Sequence, residues 1–143
     1  MASIKRTASA AWNGSGKDGH GSLTTQSATL KDTPYSFTAR FGDGAGTNPE
    51  ELIAAAHARC FTMALAFQLD AAGHVPETLN TQARLTMEQE DGGWTIKAVH
   101  LVLTGKVPGI SAADFADIAA KAKAGCPVSR VLKADITLEA SLG

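Results

Sequence analysis

The stretch from Leu52 to Leu69 constrains this chain most, because His57, Arg59, Thr62 and Gln68 are its only polar residues. Its start carries helix signals. Thr47 suits an N-cap, Pro49 suits the first turn, and Glu50 stands three residues after Thr47 in capping-box spacing. The predicted helix runs to Ala72, with Gly73 as its C-terminal stop. A helix apolar on nearly every side must be buried on most of them. A chain of 143 residues with a few strands has little else to cover it with, so the helix predicts an obligate dimer.

The rest of the chain alternates between strand and helix signals. Ala8 to Trp12 and Ser22 to Leu30 read as strands around a Gly- and Asn-rich hairpin loop, residues 13–21. Tyr35, Phe37 and Ala39 alternate with Ser36, Thr38 and Arg40, which predicts a strand over 35–41 with Arg40 near its end. Gly42 to Gly46 is a flexible joint. Asp91-Gly92-Gly93 joins two strands, residues 81–90 and 94–107, as a hairpin. Residues 111–124 form an amphipathic helix with Phe115, Ile118, Ala119 and Ala122 on one face and Ser111 with Asp114 as a second capping box. Gly125-Cys126-Pro127 breaks it, a short helix follows to Leu132, and Ile136, Leu138, Ala140 and Leu142 alternate as a last strand. The pattern is α+β, with mainly antiparallel pairing, in a single domain over 1–143.

Composition narrows the function classes. With 44% hydrophobic and 19% charged residues the chain is ordinary globular material, not disordered. Lys plus Arg number 13 and Asp plus Glu 14, a net charge of −1, which argues against a nucleic-acid binder or a polybasic membrane anchor. No window supplies about 18 uninterrupted apolar residues, and no apolar run follows Lys5 and Arg6, so neither a bilayer span nor a secretory signal is expected. A cytoplasmic protein is the expectation. Two cysteines, Cys60 and Cys126, are too few for a disulfide scaffold and are either inert core or working chemistry.

Several motifs are weighed against that choice. Gly14 to Gly19 matches G-x-G-x-x-G, but strand-like residues follow where a dinucleotide site needs a helix, so the segment reads as a loop. His57 stands one helical turn before Cys60. A Cys–His nucleophile pair is conceivable there, and a packed, hydrogen-bonded histidine is the blander alternative. Cys60 lies mid-helix, beyond useful reach of the helix dipole, and burial raises a thiol pKa, so a reactive Cys60 needs a cation. Arg59 is adjacent but about 100° around the helix; Arg40 is the other candidate. Cys126, between Gly125 and Pro127, reads as a mobile, accessible thiol. One helical and one mobile cysteine fit a peroxidatic and a resolving thiol, in which the second captures a sulfenic acid as a disulfide.

Residues 47–61, Thr-Asn-Pro-Glu-Glu-Leu-Ile-Ala-Ala-Ala-His-Ala-Arg-Cys-Phe, resemble the signature helix of the OsmC (osmotically inducible protein C) family. Residues 122–129, Ala-Lys-Ala-Gly-Cys-Pro-Val-Ser, resemble its second cysteine motif, and residues 34–41 and 131–138 are also similar. The OsmC branch fits better than the sister organic hydroperoxide resistance (Ohr) branch. The resemblance implies antiparallel sheets wrapped around long central helices in an intertwined homodimer. It implies a thiol peroxidase for organic hydroperoxides, in stress defence, with no metal, flavin or nicotinamide and a lipoyl-type dithiol as reductant. On it, Cys60 is peroxidatic, Cys126 resolving, Arg40 the activating cation and Glu50 the group that orients Arg40. Glu50 and Cys60 are ten residues apart on one helix, about 15 Å along its axis, so pairing across a dimer is the expected solution. Glu50 also has a competing role in the capping box. Phe61, Phe67, Leu52 and Ile110 are candidate walls of an apolar pocket. A non-enzymatic redox-sensing dimer and a Cys60–His57 hydrolase are the competing readings.

Overall fold

The computed structural model of the chain describes residues 2–143, which divide into one unit up to Leu52 and a second over Ile53–Gly143. The first unit holds a three-stranded antiparallel sheet in the order β1 (Ala8–Asn13), β2 (His20–Thr25), β3 (Thr33–Tyr35). Tyr35 locks its edge, donating its hydroxyl to the Ala11 carbonyl at 2.9 Å while its ring packs on Trp12 at 5.4 Å. The second strand stops earlier than the Thr- and Ser-rich run suggests. The Thr25 N–H donates to the Leu30 carbonyl at 2.9 Å and its hydroxyl accepts from the Leu30 N–H at 3.2 Å, which closes a turn.

The expected strand over 35–41 is a short helix instead, α1 (Phe37–Phe41). Ser36 caps it: its hydroxyl accepts from the Ala39 N–H at 3.1 Å. Phe37 and Phe41, four residues apart, meet at a tilt of 45° with ring centroids 5.0 Å apart, a pairing that the helical turn brings about. Arg40 therefore lies in the last turn of a helix and not at a strand end. The loop that follows turns sharply at Gly46, whose φ of +110° and crowding against the Pro34 carbonyl leave no room for a side chain.

The long helix, α2, is Pro49–Ala71. Its cap is one residue later than the Thr47 pattern predicts. Asn48 Oδ1 accepts from the Glu51 N–H at 2.8 Å, while Thr47 donates its hydroxyl to Glu51 Oε2 at 2.7 Å. Two adjacent residues can each cap, and the one next to Pro49 does so. Glu50 is thereby released from any capping role. At the other end Gly73 adopts φ +85°, with the His74 N–H on the Leu69 carbonyl at 2.8 Å and the Gly73 N–H on the Asp70 carbonyl at 3.0 Å. This is the Schellman termination that a glycine after the last turn favours.

In the second unit, β4 (Thr78–Glu90) and β5 (Gly93–Lys106) form the expected hairpin over Asp91-Gly92, with Gly92 at φ +96°. The chain then passes through α3 (Ala112–Gly125) and α4 (Pro127–Val131) to β6 (Asp135–Leu142), which pairs with β5 in parallel. The helical crossover is what permits that parallel pair. As the central strand, β5 sends Val99, Leu101 and Leu103 inward at period two. They meet Phe115, Ala119 and Ala122 of α3 and the Phe61, Leu65, Leu69 stripe of α2 in one buried cluster.

Only that stripe and His57 are fully buried on α2, while Met63 and Phe67 on another face are 48% and 65% exposed. By length and composition α2 is apolar enough to cross a bilayer. Interrupted apolar sequence thus passes where an uninterrupted run is lacking. Here, however, its Phe61, Leu65 and Leu69 side chains are buried in the core of a folded unit.

Candidate functional site

Arg40 and Glu50 are the candidate residues that lie within the first unit. The Arg40 guanidinium donates from Nε to Glu50 Oε1 at 3.0 Å and from Nη2 to Oε2 at 3.1 Å. This two-pronged geometry fixes the plane of the guanidinium as well as its position. The carboxylate is the more sheltered partner, with its side chain 14% exposed against 39% for the arginine. The guanidinium also lies 5.2 Å from the centroid of the Phe41 ring. Helix α1 presents the arginine and the first turn of α2 presents the glutamate. The cap shift to Asn48 is what leaves that carboxylate available.

A cavity of about 200 Å³ in this unit is lined by Arg40 together with Trp12, Tyr35, Phe37 and Phe41. An apolar cavity of about 310 Å³, lined by Ala10, Leu23, Tyr35 and Leu52, shares Tyr35 and Pro49 with it. These aromatic side chains were not among the expected pocket walls. Their signal is the cluster Tyr35, Phe37 and Phe41 around Arg40, which has the same spacing as an alternating strand. Of the walls expected, Leu52 lines a cavity here, Phe61 is core, Ile110 packs against the core, and Phe67 is exposed.

The two thiols lie in the second unit. Cys60 on α2 is half-buried and Cys126 is fully buried; neither is in a disulfide. The expectation of a mobile, accessible Cys126 is therefore overturned. Cys126 is the joint between α3 and α4: its N–H donates to the Ala122 carbonyl at 2.9 Å and its carbonyl accepts from the Arg130 N–H at 3.0 Å. Gly125 and Pro127 turn the chain without loosening it, and the thiol is folded inward with the core.

Burial pushes the Cys60 thiol above its ordinary pKa, and hydrogen bonding and charge repulsion from Cys126 push it the same way. The Val128 backbone N–H and the Arg59 charge pull it down, but they do not prevail. Arg59 is thus a minor influence on the thiol; its Nη1 points to the Met63 sulfur at 3.8 Å. Within its own unit the thiol is held protonated.

His57 does not serve Cys60 as a base. The imidazole is fully buried, its Nε2 shares a 2.7 Å hydrogen bond with Ser129 Oγ, and its Nδ1 has no hydrogen-bond partner among the described residues. That leaves the Cys–His hydrolase reading without its general base. Burial lowers the His57 pKa, so the ring is neutral at pH 7. The sign of the linkage follows. The unfolded chain takes up a proton below about pH 6.5 that the folded ring resists. Stability is thus complete above that pH and declines as pH falls toward the folded value. Urea midpoints measured from pH 7.5 to 5 should drop on the acid side, and His57→Gln should flatten the drop. Among the described residues no group of three or more His, Cys, Asp or Glu side chains is placed to hold a metal ion. The Gly14 to Gly19 segment is the β1–β2 loop, closed by the Gly19 N–H on the Ser15 carbonyl at 2.8 Å.

Known proteins resemble the chain along most of its length. The family described as OsmC-like protein matches residues 42–141. The Peroxiredoxin OsmC of Escherichia coli (strain K12) is 48% identical over 139 residues, 97% of each chain. Two solved structures share the fold: the organic hydroperoxide resistance protein OhrB of Bacillus subtilis and an organic hydroperoxide resistance protein from Elizabethkingia anophelis. The first has a TM-score of 0.72 at 26% identity, covering 94% of this chain and 97% of its own. The second has a TM-score of 0.74 at 25% identity, covering 100% and 99%.

Proposed function

The chain belongs to the OsmC-like family, and from that premise we propose that it is a cysteine-based peroxidase that reduces organic hydroperoxides to alcohols. The observation that carries this reading is the thiol pair: a half-buried Cys60 beside a buried Cys126. A relative of nearly full coverage is named a peroxiredoxin, and the solved relatives are organic hydroperoxide resistance proteins. The cavities beside Arg40 are lined by aromatic and apolar side chains, which suit an alkyl or aryl group better than hydrogen peroxide.

The cycle assigns each residue a task. Arg40, its plane set by Glu50, stabilises the Cys60 thiolate that the thiol's own unit disfavours. The thiolate attacks the distal peroxide oxygen; the O–O bond breaks and the alkoxide takes up a proton and leaves as alcohol. Arg40 also offsets the charge that develops on the departing oxygen. Cys126 then displaces water from the Cys60 sulfenic acid, forming the disulfide, and an external dithiol of lipoyl type restores both thiols. The chain works as one OsmC-like domain whose arginine pair and thiol pair act together, within a chain or across two.

A homodimer completes the proposal. The open face of α2 carries Met63 and Phe67, and a broad recess of about 590 Å³ runs along it past Arg59, Thr62 and Thr81. A second copy is the covering that so apolar a helix calls for. A chain with only two cysteines fits a cytoplasmic setting.

Cys126→Ser tests the division of labour. One equivalent of cumene hydroperoxide should still be reduced, but the sulfenic acid should persist and pass to sulfinic acid under excess peroxide. Mass spectrometry of Cys60 reads the difference. A Cys126→Ser protein that turned over with dithiol at the wild-type rate and resisted overoxidation would remove Cys126 from the cycle.

A further inference from the structure

His57 poses a question that the cycle leaves unanswered. A fully buried imidazole with Nδ1 unpaired costs free energy that a leucine in its place would not. What it makes is one hydrogen bond, from Nε2 to Ser129 Oγ at 2.7 Å, joining residues 72 apart in sequence. The location of that bond is informative. His57 precedes Cys60 by three residues on α2, and Ser129 follows Cys126 by three residues into α4. Residues three apart lie on one helix face, one turn or about 4.5 Å along the axis. The bond therefore joins the two cysteine-bearing segments one turn away from the thiols, on both sides. Between the two points the Val128 backbone N–H lies close enough to the Cys60 thiol to draw its pKa down. Cys126, Val128 and Ser129 thus all engage one face of α2. A buried polar pair of this kind fixes register where an apolar contact would allow sliding.

We infer that His57 and Ser129 are positioning residues, a buried cross-helix pin that holds Cys126 in register with Cys60 and so governs disulfide formation. The inference rests on the thiol roles proposed above. The step it governs is balanced within the chain. The Cys126 sulfur forms a bond to the Cys60 sulfur, the sulfenic S–O bond breaks, and the hydroxyl leaves as water with the Cys126 proton. Cys126 is oxidised and the sulfenic sulfur is reduced. Neither His57 nor Ser129 exchanges a proton with the reacting atoms; they set only where the two sulfurs stand.

The test uses the full chain with Ser129→Ala, which removes the hydroxyl at little cost in volume, and Ser129→Thr, which restores it. His57→Gln is a second probe from the other side. In one arm each protein meets excess cumene hydroperoxide, and mass spectrometry partitions Cys60 between disulfide and sulfinic acid. In the other arm, without peroxide, the Cys60–Cys126 disulfide is equilibrated with glutathione. Ser129→Ala should shift both the partition and the glutathione equilibrium by about tenfold against the disulfide, with Ser129→Thr close to wild type. A loss of fold alone would lower the melting temperature without rescue by threonine. If Ser129→Ala matched wild type in both arms, the pin would be refuted. If wild type failed to react with peroxide but the glutathione equilibrium shifted as expected, the pin would stand and the peroxidase reading would fall.

Discussion

Cys60→Ser is expected to abolish steady-state hydroperoxide reduction, with a fall of at least about a thousandfold. The serine hydroxyl is far weaker as a nucleophile at neutral pH and cannot form the disulfide with Cys126. No other thiol can take its place, because Cys126 is the only other cysteine and is fully buried. The substitution should leave the fold intact, since Cys60 is half-buried and serine is nearly isosteric. Coupled consumption assays read the activity and thermal melts check the fold. Retained turnover at more than a few per cent would move the chemistry elsewhere.

Arg40→Leu should lower kcat/KM for cumene hydroperoxide by about a hundred- to a thousandfold. Two effects combine. The Cys60 thiol already stands above its ordinary pKa through burial and the neighbouring Cys126, so in the proposed cycle loss of the cation leaves less thiolate at pH 7. The charge on the departing oxygen also loses its partner. The sign of the pH effect is definite: the midpoint of the rate–pH profile should move upward in the variant, and part of the rate should return at alkaline pH. Arg40→Lys keeps a charge but cannot reproduce the two-pronged contact at 3.0 and 3.1 Å, so its recovery should be partial. Glu50→Gln should cost less, about tenfold, since it loosens the arginine without removing it. Because Asn48 and not Glu50 binds the free N–H at the start of α2, that variant should keep its thermal stability.

The elements with strong local punctuation were legible in the sequence. Gly73 ends α2 because the chain there needs a left-handed residue, and Asp91-Gly92 turns the hairpin for the same reason. Ser111 caps α3 through its hydroxyl on the Asp114 N–H. Where local signals compete, they do not decide the structure. Thr47 and Asn48 are both good caps, and only the packing of the turn decides between them. Five residues over 37–41 alternate like a strand, yet the Ser36 cap and the Phe37–Phe41 ring contact favour a helical turn.

The site was legible unevenly as well. The OsmC resemblance pointed to Arg40, Glu50 and both thiols; Arg40 pairs with Glu50 in the first unit, and both cysteines lie at the core of the second. Nothing local could say that Cys126 is buried, because Gly125 and Pro127 fit an exposed break equally well. The bond from His57 to Ser129 spans 72 residues and leaves no periodic trace. Such contacts are decided by tertiary packing, which a single sequence does not encode in its spacing.

The most direct measurement is peroxide consumption by the purified protein with a reduced lipoyl dithiol, comparing cumene hydroperoxide with hydrogen peroxide. The account predicts rapid turnover that favours the organic peroxide. A disulfide that forms without turnover would contradict it and make the protein a redox sensor, and the absence of both would return Cys60 and Cys126 to the packing of the core.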